Sequence, residues 1–211
     1  MPENRPVKRI GFIGLGDMGL PMAQNLIKAG FEVCGFDLRT ERLELLKKAG
    51  GLSANSISEL GKASDVVFVM VMTGKQVSEI ILGDNGLLKS MHQGSAIILS
   101  STIAPLDARE VGEPVLKAGI KIIDTPVSGG KSGAENGSLT MMAASSKETF
   151  DEHRDVLKGV GEKIFHVGEV IGMGQTVKAA LQALIGSTFT AIFESLVLGA
   201  KAGVRGEVMH E

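Results

Sequence analysis

The chain alternates between short apolar runs, often β-branched, and segments of helical pattern that end in glycine. Apolar strands separated by helices are typical of a parallel sheet that is covered on both faces. The alternation therefore predicts an α/β fold with a doubly wound, mostly parallel sheet. The runs interpreted as strands cover residues 9–13, 31–36, 66–71, 96–99, 120–123 and 139–143.

The helical segments are recognised mainly by the glycines that follow them. Residues 18–29 end at Gly30, residues 40–49 at Gly50 and residues 105–118 at Gly119, which is the usual position of a helix-ending glycine. Pro114 lies inside the third segment, and we expect it to kink or interrupt that helix.

A glycine-rich turn follows the first apolar run and precedes the first helical segment. It has the G-x-G-x-x-G pattern, and it stands in the strand–turn–helix context that a dinucleotide-binding turn requires. The first glycine permits the tight turn, the second lets a pyrophosphate approach the backbone, and the third lets helix and strand pack closely. The pattern predicts a Rossmann-type domain with a cofactor site formed by Gly14, Leu15, Gly16, Asp17, Met18 and Gly19.

Asp37 stands 23 residues beyond Gly14, at the end of the second run. A carboxylate there accepts hydrogen bonds from a ribose diol and repels a 2′-phosphate, so NAD is the predicted cofactor. Arg39 leaves NADP open, because its guanidinium could hold a 2′-phosphate or stack on adenine. It could equally be a solvated loop residue.

Composition and charge exclude several other classes of function. The net charge of −2 argues against nucleic-acid binding, which needs a basic surface. Cys34 is the only cysteine, so neither an intrachain disulfide nor a thiolate metal site is expected. The four histidines are scattered, and no metal site is predicted. Residues 1–10 hold no apolar run of the kind found in signal peptides, and we expect a cytoplasmic or other reducing compartment.

Residues 174–203 form one long helical pattern that is apolar around most of its surface. Residues 179–200 approach the length of a membrane span, but Glu194 and several polar side chains lie within them. We interpret the segment as a buried helix, with no membrane partner. It should pack against other helices or a second subunit, since such a helix is not stable in water.

Two later motifs point to a substrate site, although each has a plain structural reading. Residues 124–130 place Gly129 and Gly130 after Ser128, and exposed backbone N–H groups beside a hydroxyl suit a carboxylate or an oxyanion. The same string could be only a turn. Lys178 opens the apolar helix, where desolvation would lower its pKa and make it a proton acceptor. It could also be a surface lysine.

Taken together, the motifs resemble the β-hydroxyacid dehydrogenase family. The matching segments are residues 14–26, Ser100-Ser101-Thr102-Ile103-Ala104-Pro105, residues 124–130 with 137–140, and residues 174–178, in the family's order. The resemblance implies hydride transfer between a nicotinamide cofactor and a small 3-hydroxy acid or its semialdehyde. It implies that Lys178 is the catalytic lysine and that Thr102 lies near the nicotinamide ribose and the substrate. The residues implied to line the adenosine side are Met70, Val71 and Met72. The residues implied to bind the substrate are Ser128, Gly129, Gly130 and Gln182.

The sequence also departs from the family's pattern. Gln182 stands where the family usually has Asn, and Leu181 replaces Asn or His of many relatives, which predicts a more apolar pocket. The family usually continues through more helices than this chain holds. We therefore expect residues 1–168 to be the cofactor domain and 169–211 the start of a truncated, all-helical domain. Association through the 174–203 helix is expected, and the alternative function is a cofactor-binding module without turnover.

Overall fold

The computed structural model describes residues 8–210. The strands are β1 (Arg9–Ile13), β2 (Glu32–Phe36), β3 (Leu52–Ser53), β4 (Val66–Val69), β5 (Ala96–Leu99), β6 (Lys121–Asp124), β7 (Val127–Ser128), β8 (Leu139–Ala144) and β9 (Gly161–Gly168). The helices are α1 (Gly19–Lys28), α2 (Thr40–Lys48), α3 (Ile57–Ala63), α4 (Gly74–Leu82), α5 (Leu87–Ser90), α6 (Pro105–Lys117), α7 (Gly130–Asn136), α8 (Lys147–Glu152), α9 (Arg154–Lys158), α10 (Met173–Lys201) and α11 (Gly206–His210).

The strands form one sheet in the order β3-β2-β1-β4-β5-β6-β8-β7, with β9 beside β8. The first six strands are parallel, whereas β8 runs antiparallel to β6 and β7 and parallel to β9. The strand order reverses between β1 and β4, which is the point where open α/β sheets bind ligands. The predicted doubly wound, mostly parallel sheet followed by a long helix is confirmed.

The core lies in two layers, one on each face of the sheet. Successive residues of a strand point to opposite faces, so Phe68 packs in one layer while Val67 and Val69 pack in the other. In the first layer Phe12 and Phe68 stack with their ring centroids 5.2 Å apart. Burial on both faces explains why these strands are apolar throughout and show no alternation with polar residues.

Two local predictions differ from the structure. The expected interruption at Pro114 is wrong, because α6 continues past it to Lys117. Pro114 lies close to the carboxyl end of the helix, where few further backbone bonds depend on it. The apolar run at 66–71 ends as a strand at Val69, and Met70 and Val71 already belong to the loop above the sheet.

The predicted long helix is confirmed as α10, but much of its surface is exposed. Its first turns contact β6, β8, β9 and α6, and its far end contacts α11. Between them it is exposed, including large apolar side chains such as Leu184 (65%), Phe193 (61%) and Leu198 (72%). Among residues 8–210 no other element covers its middle, so its expected burial against further helices or a second subunit stays a prediction. By length and mean hydropathy of 1.6 it could also cross a membrane.

Candidate active site

The glycine-rich turn lies at the switch point of the sheet, between the ends of β1, β2 and β4. Gly14 has φ 91°, and a Cβ there would overlap the carbonyl oxygen of Met70. A Cβ at Gly19 would overlap the Gly14 carbonyl oxygen. At Gly16 the space is open, and the nearest atom to an added Cβ is the Arg39 Nη2 at 3.8 Å. Two glycines therefore shape the turn, while the third leaves room for a ligand.

A cavity of about 690 Å³ opens above this turn. It is bordered by the start of α1, whose positive dipole end suits a pyrophosphate. Leu15 and Thr102 do not line it, and the side chain of Leu15 is buried in the core. The other sequence-predicted cofactor residues all do: Gly14, Gly16, Asp17, Met18, Gly19, Asp37, Arg39, Met70, Val71 and Met72.

Asp37 sits at the end of β2 with its carboxylate already hydrogen-bonded. It accepts from the backbone N–H of Leu15 at 2.7 Å and from the backbone N–H of Arg39 at 2.9 Å. The guanidinium Nε of Arg39 donates to the same carboxylate at 3.1 Å. Burial alone would raise the pKa of Asp37, but these hydrogen bonds together hold it below its ordinary value. The carboxylate is therefore charged and fixed at the cavity wall.

The predicted acid-binding segment forms a separate turn beyond β6. Ser128 ends β7 and is half-buried, while Gly129 and Gly130 are exposed at the start of α7. Both glycines have positive φ, 129° and 61°, a backbone conformation that other residues rarely adopt. The geometry fits the predicted role of presenting N–H groups beside a hydroxyl.

Lys178 lies in the second turn of α10 and is only 7% exposed. Burial lowers the pKa of its amine, and burial is the sole cause of the shift among the described residues. A lysine kept in a poorly solvated place loses its proton more readily, which suits general-base chemistry. Gln182, one turn later, is exposed, and Leu181 is half-buried. Of these three side chains, Lys178 is the most buried.

A buried polar network holds the start of α10, and the sequence reasoning missed it. The carboxylate of Asp124 accepts from the backbone N–H groups of Gly172 at 2.9 Å and Gln175 at 3.3 Å. The Gln175 side chain donates to Asp124 at 2.8 Å and to the Ser101 carbonyl at 2.9 Å. Its amide oxygen accepts from the backbone N–H of Ile103 at 3.0 Å. Thr102, between these two loop residues, is thereby tied to the helix that carries Lys178.

The network brings together three of the predicted motifs at the carboxyl edge of the sheet. Asp124 ends β6 and leads into the Ser128 turn, and the loop around Thr102 follows β5. The glycine turn follows β1 at the same edge. Among residues 8–210 no group of three or more His, Cys, Asp or Glu side chains could hold a metal ion.

Comparison with known proteins shows the family to which this chain belongs. Residues 9–168 match the family model described as the NAD binding domain of 6-phosphogluconate dehydrogenase. The chain is 36% identical to L-threonate dehydrogenase of Cupriavidus necator over 204 residues, covering 97% of this chain and 69% of that protein. The chain belongs to the β-hydroxyacid dehydrogenase family.

Two further relatives of this β-hydroxyacid dehydrogenase support the same conclusion. The 3-hydroxyisobutyrate dehydrogenase of Pseudomonas aeruginosa is 39% identical, with 96% of this chain and 67% of that protein covered. The solved structure of Mycobacterium tuberculosis 3-hydroxyisobutyrate dehydrogenase with L-serine has a TM-score of 0.88 at 34% identity, covering 94% of this chain and 67% of that one. The protein is therefore a nicotinamide-dependent oxidoreductase, and the open space above Gly16 fits its cofactor.

Proposed function

We propose that the protein transfers a hydride reversibly between a nicotinamide cofactor and a small 3-hydroxy acid or its semialdehyde. The observation that carries the proposal is Lys178, which is buried and has no carboxylate partner among residues 8–210. It lies on the helix that Gln175 bonds to the Thr102 loop. The test is a panel of small hydroxy acids and semialdehydes, each assayed with NAD(H) and NADP(H). Turnover of at least one acid supports the proposal, and cofactor binding without any turnover favours the binding-module alternative.

In this proposal one residue transfers the proton and the others bind and orient the cofactor and the substrate. The nicotinamide, when bound, supplies the carbon that accepts or donates the hydride. Lys178 removes the proton of the substrate hydroxyl during oxidation and returns it during reduction. Thr102 lies beside the reacting groups, because the loop that holds it is fastened to the first turn of α10. Holding both partners in one orientation supplies a large part of the rate enhancement.

The substrate class follows from the second turn at the edge of the sheet. Ser128 and the N–H groups of Gly129 and Gly130 hold the substrate carboxylate. Leu181, half-buried, borders the acid's side chain with an apolar surface, and Gln182 offers an amide at the rim. These contacts favour a short acid with an apolar or weakly polar substituent.

Asp37 and Arg39 set the choice between NAD and NADP. Asp37 accepts hydrogen bonds from the adenosine ribose and favours NAD, whereas Asp37→Asn keeps an oxygen for the Leu15 N–H and removes the negative charge. We expect the ratio of kcat/KM for NADP over NAD to rise about tenfold or more, equivalent to about 1.4 kcal/mol. Arg39, released from its ion pair, then faces the 2′-phosphate.

The matched control for this cofactor prediction is Asp65→Asn. Asp65 is also paired with an arginine, Arg9 at 2.8 Å, but it lies at the amino end of the strands, away from the cofactor cavity. The control should leave the NADP/NAD ratio unchanged. An unchanged ratio in Asp37→Asn would remove Asp37 from the specificity site.

We also propose that residues 169–211 begin a helical second domain and that two copies associate through α10. The exposed apolar side chains of this helix favour a partner that covers them. The single Cys34 is consistent with a reducing compartment such as the cytoplasm.

Light scattering tests the association. Phe189→Glu places a charge on α10 at a side chain that is 55% exposed, and we expect it to shift the protein from an oligomer toward the monomer. Leu116→Glu is the matched control, since Leu116 is 54% exposed but lies on α6. A soluble, unaggregated monomer of the unmodified protein would contradict the proposed association.

A further inference from the structure

Gln175 is a buried side chain with three hydrogen bonds near the proposed site, and the proposed hydride and proton transfers do not use it. It is 1% exposed, and its amide makes three hydrogen bonds to two parts of the chain: one to Asp124 at the end of β6, and two to the loop after β5, at the Ser101 carbonyl and the Ile103 N–H. When the N–H and C=O groups of a buried amide are all hydrogen-bonded, the amide restricts its neighbours to one arrangement.

Asp124 completes the arrangement from the sheet side. It is fully buried, and it caps the start of α10 from outside the helix by accepting from the N–H groups of Gly172 and Gln175. The approach is close: a Cβ at Gly174 would lie 2.7 Å from the Asp124 carbonyl oxygen and would overlap the Met142 carbonyl oxygen. The first turn of α10 is therefore seated directly on the ends of β6 and β8.

We infer that Gln175, together with Asp124, is a positioning residue that fixes Lys178 relative to the Thr102 loop. Lys178 follows Gln175 by three residues, about one helical turn, so the two side chains share a helix face. Thr102 is pinned on both sides, because Ser101 and Ile103 each bond to the same amide. The inference rests on the proposed function, since it assigns Lys178 the proton transfer.

The first test is Gln175→Met, which keeps the length of the side chain and removes its three hydrogen bonds. We expect kcat to fall about 100-fold, the effect of a small misplacement of catalytic groups, with the KM and the dissociation constant of the cofactor unchanged. The cofactor cavity does not include Gln175, so its affinity should not respond. A kcat equal to that of the unmodified protein would overturn the inference.

His153→Leu is the control for a purely structural loss. His153 is also buried, 2% exposed, and bonds to the Thr149 carbonyl oxygen at 2.8 Å. Its neighbour Glu152 pairs with Lys121 at the amino end of β6, so this cluster lies at the opposite edge of the sheet. The variant should lose thermal stability while kcat stays unchanged. An equal loss of kcat in both variants would make Gln175 merely structural.

A charge exchange provides a rescue that tests the pair itself. Gln175→Glu alone replaces the amide that donates to Asp124 and to the Ser101 carbonyl with a second acidic group, and it should lower kcat strongly. Adding Asp124→Asn restores a donor–acceptor contact between the two side chains, and we expect kcat to recover about tenfold over Gln175→Glu. A double variant no better than the single one would contradict a direct coupling.

Hydrogen exchange gives a measurement that needs neither cofactor nor substrate. The backbone N–H of Ile103 donates to Gln175, so in Gln175→Met it should exchange faster than in the unmodified protein and in His153→Leu. Unchanged protection would refute the positioning role of Gln175 even if no acid were ever turned over. Faster exchange without any turnover would support the positioning role of Gln175 and refute only the proposed function.

Discussion

Lys178→Met is expected to lower kcat by about 100-fold to 10,000-fold, the range contributed by a general acid–base group. The methionine fills the space of the lysine stem but can neither accept nor donate the substrate proton. The cofactor dissociation constant should stay unchanged, because Lys178 does not line the cofactor cavity. Initial rates of reduced nicotinamide formation and a fluorescence titration of the reduced cofactor measure the two quantities.

Lys178→Arg and Lys201→Met separate the role of the lysine from general effects. An arginine keeps the positive charge but stays protonated, so it cannot serve as the base in oxidation. Lys201 lies in the last turn of the same helix and is exposed, so its loss should not change kcat. A Lys178→Met variant with the rate of the unmodified protein would show that another group transfers the proton.

The pH dependence of the two reaction rates tests the same role of Lys178 in proton transfer. Burial lowers the pKa of Lys178, so the neutral amine is available at lower pH than for an ordinary lysine. Oxidation needs the neutral amine and should rise with pH through this lowered pKa, while reduction needs the ammonium and should fall above it. In Lys178→Met, both the rise of the oxidation rate and the fall of the reduction rate with pH should disappear. Profiles that keep this rise and fall in that variant would assign the titration to another group.

Gly19→Ala is expected to raise the cofactor dissociation constant about 100-fold or more and to destabilise the fold by about 1–3 kcal/mol. The added Cβ would overlap the Gly14 carbonyl oxygen, so the turn must move away from the start of α1. That movement destroys the cradle for the pyrophosphate. Fluorescence titration of the reduced cofactor and thermal unfolding measure the two effects.

Two other glycines serve as controls for Gly19→Ala. Gly186→Ala should be neutral or slightly stabilising, because among residues 8–210 no atom outside the adjoining helix backbone lies within 4 Å of its Cβ position, and alanine favours helix. Gly16→Ala should leave stability intact but still weaken cofactor binding, since its Cβ would project into open space above the turn. Unchanged affinity in both Gly16→Ala and Gly19→Ala would move the pyrophosphate away from this turn.

The sequence was most informative where local chemistry alone dictates the structure. The glycine turn needs φ 91° at Gly14 and close packing at Gly19, and only glycine meets both demands, so its pattern predicts the switch point reliably. The place of Lys178 at the start of an apolar helix left both a desolvated and a surface lysine open, and the structure buries it. The strands followed from runs buried on both faces of the sheet.

Features that depend on contacts between residues far apart in the sequence could not be predicted from local sequence patterns. Asp124 and Gln175 are 51 residues apart, and neither residue type signals a partner in the sequence. A carboxylate at a strand end, before a helix that opens with Gly172 and Gly174, was the available hint. The strand β9 carries Glu162 and Lys163 on its exposed positions and so lacks an apolar run. The exposure of α10 depends on what covers it, which its own composition does not specify.

The most direct test mixes the protein, saturated with NAD, with each small 3-hydroxy acid of the panel and follows reduced nicotinamide by absorbance. We predict that at least one acid reduces the bound cofactor in the unmodified protein and in Lys201→Met, and that Lys178→Met binds NAD equally well without reducing it. NAD binding in all three proteins with no reduction by any acid, or full reduction in Lys178→Met, would contradict the account.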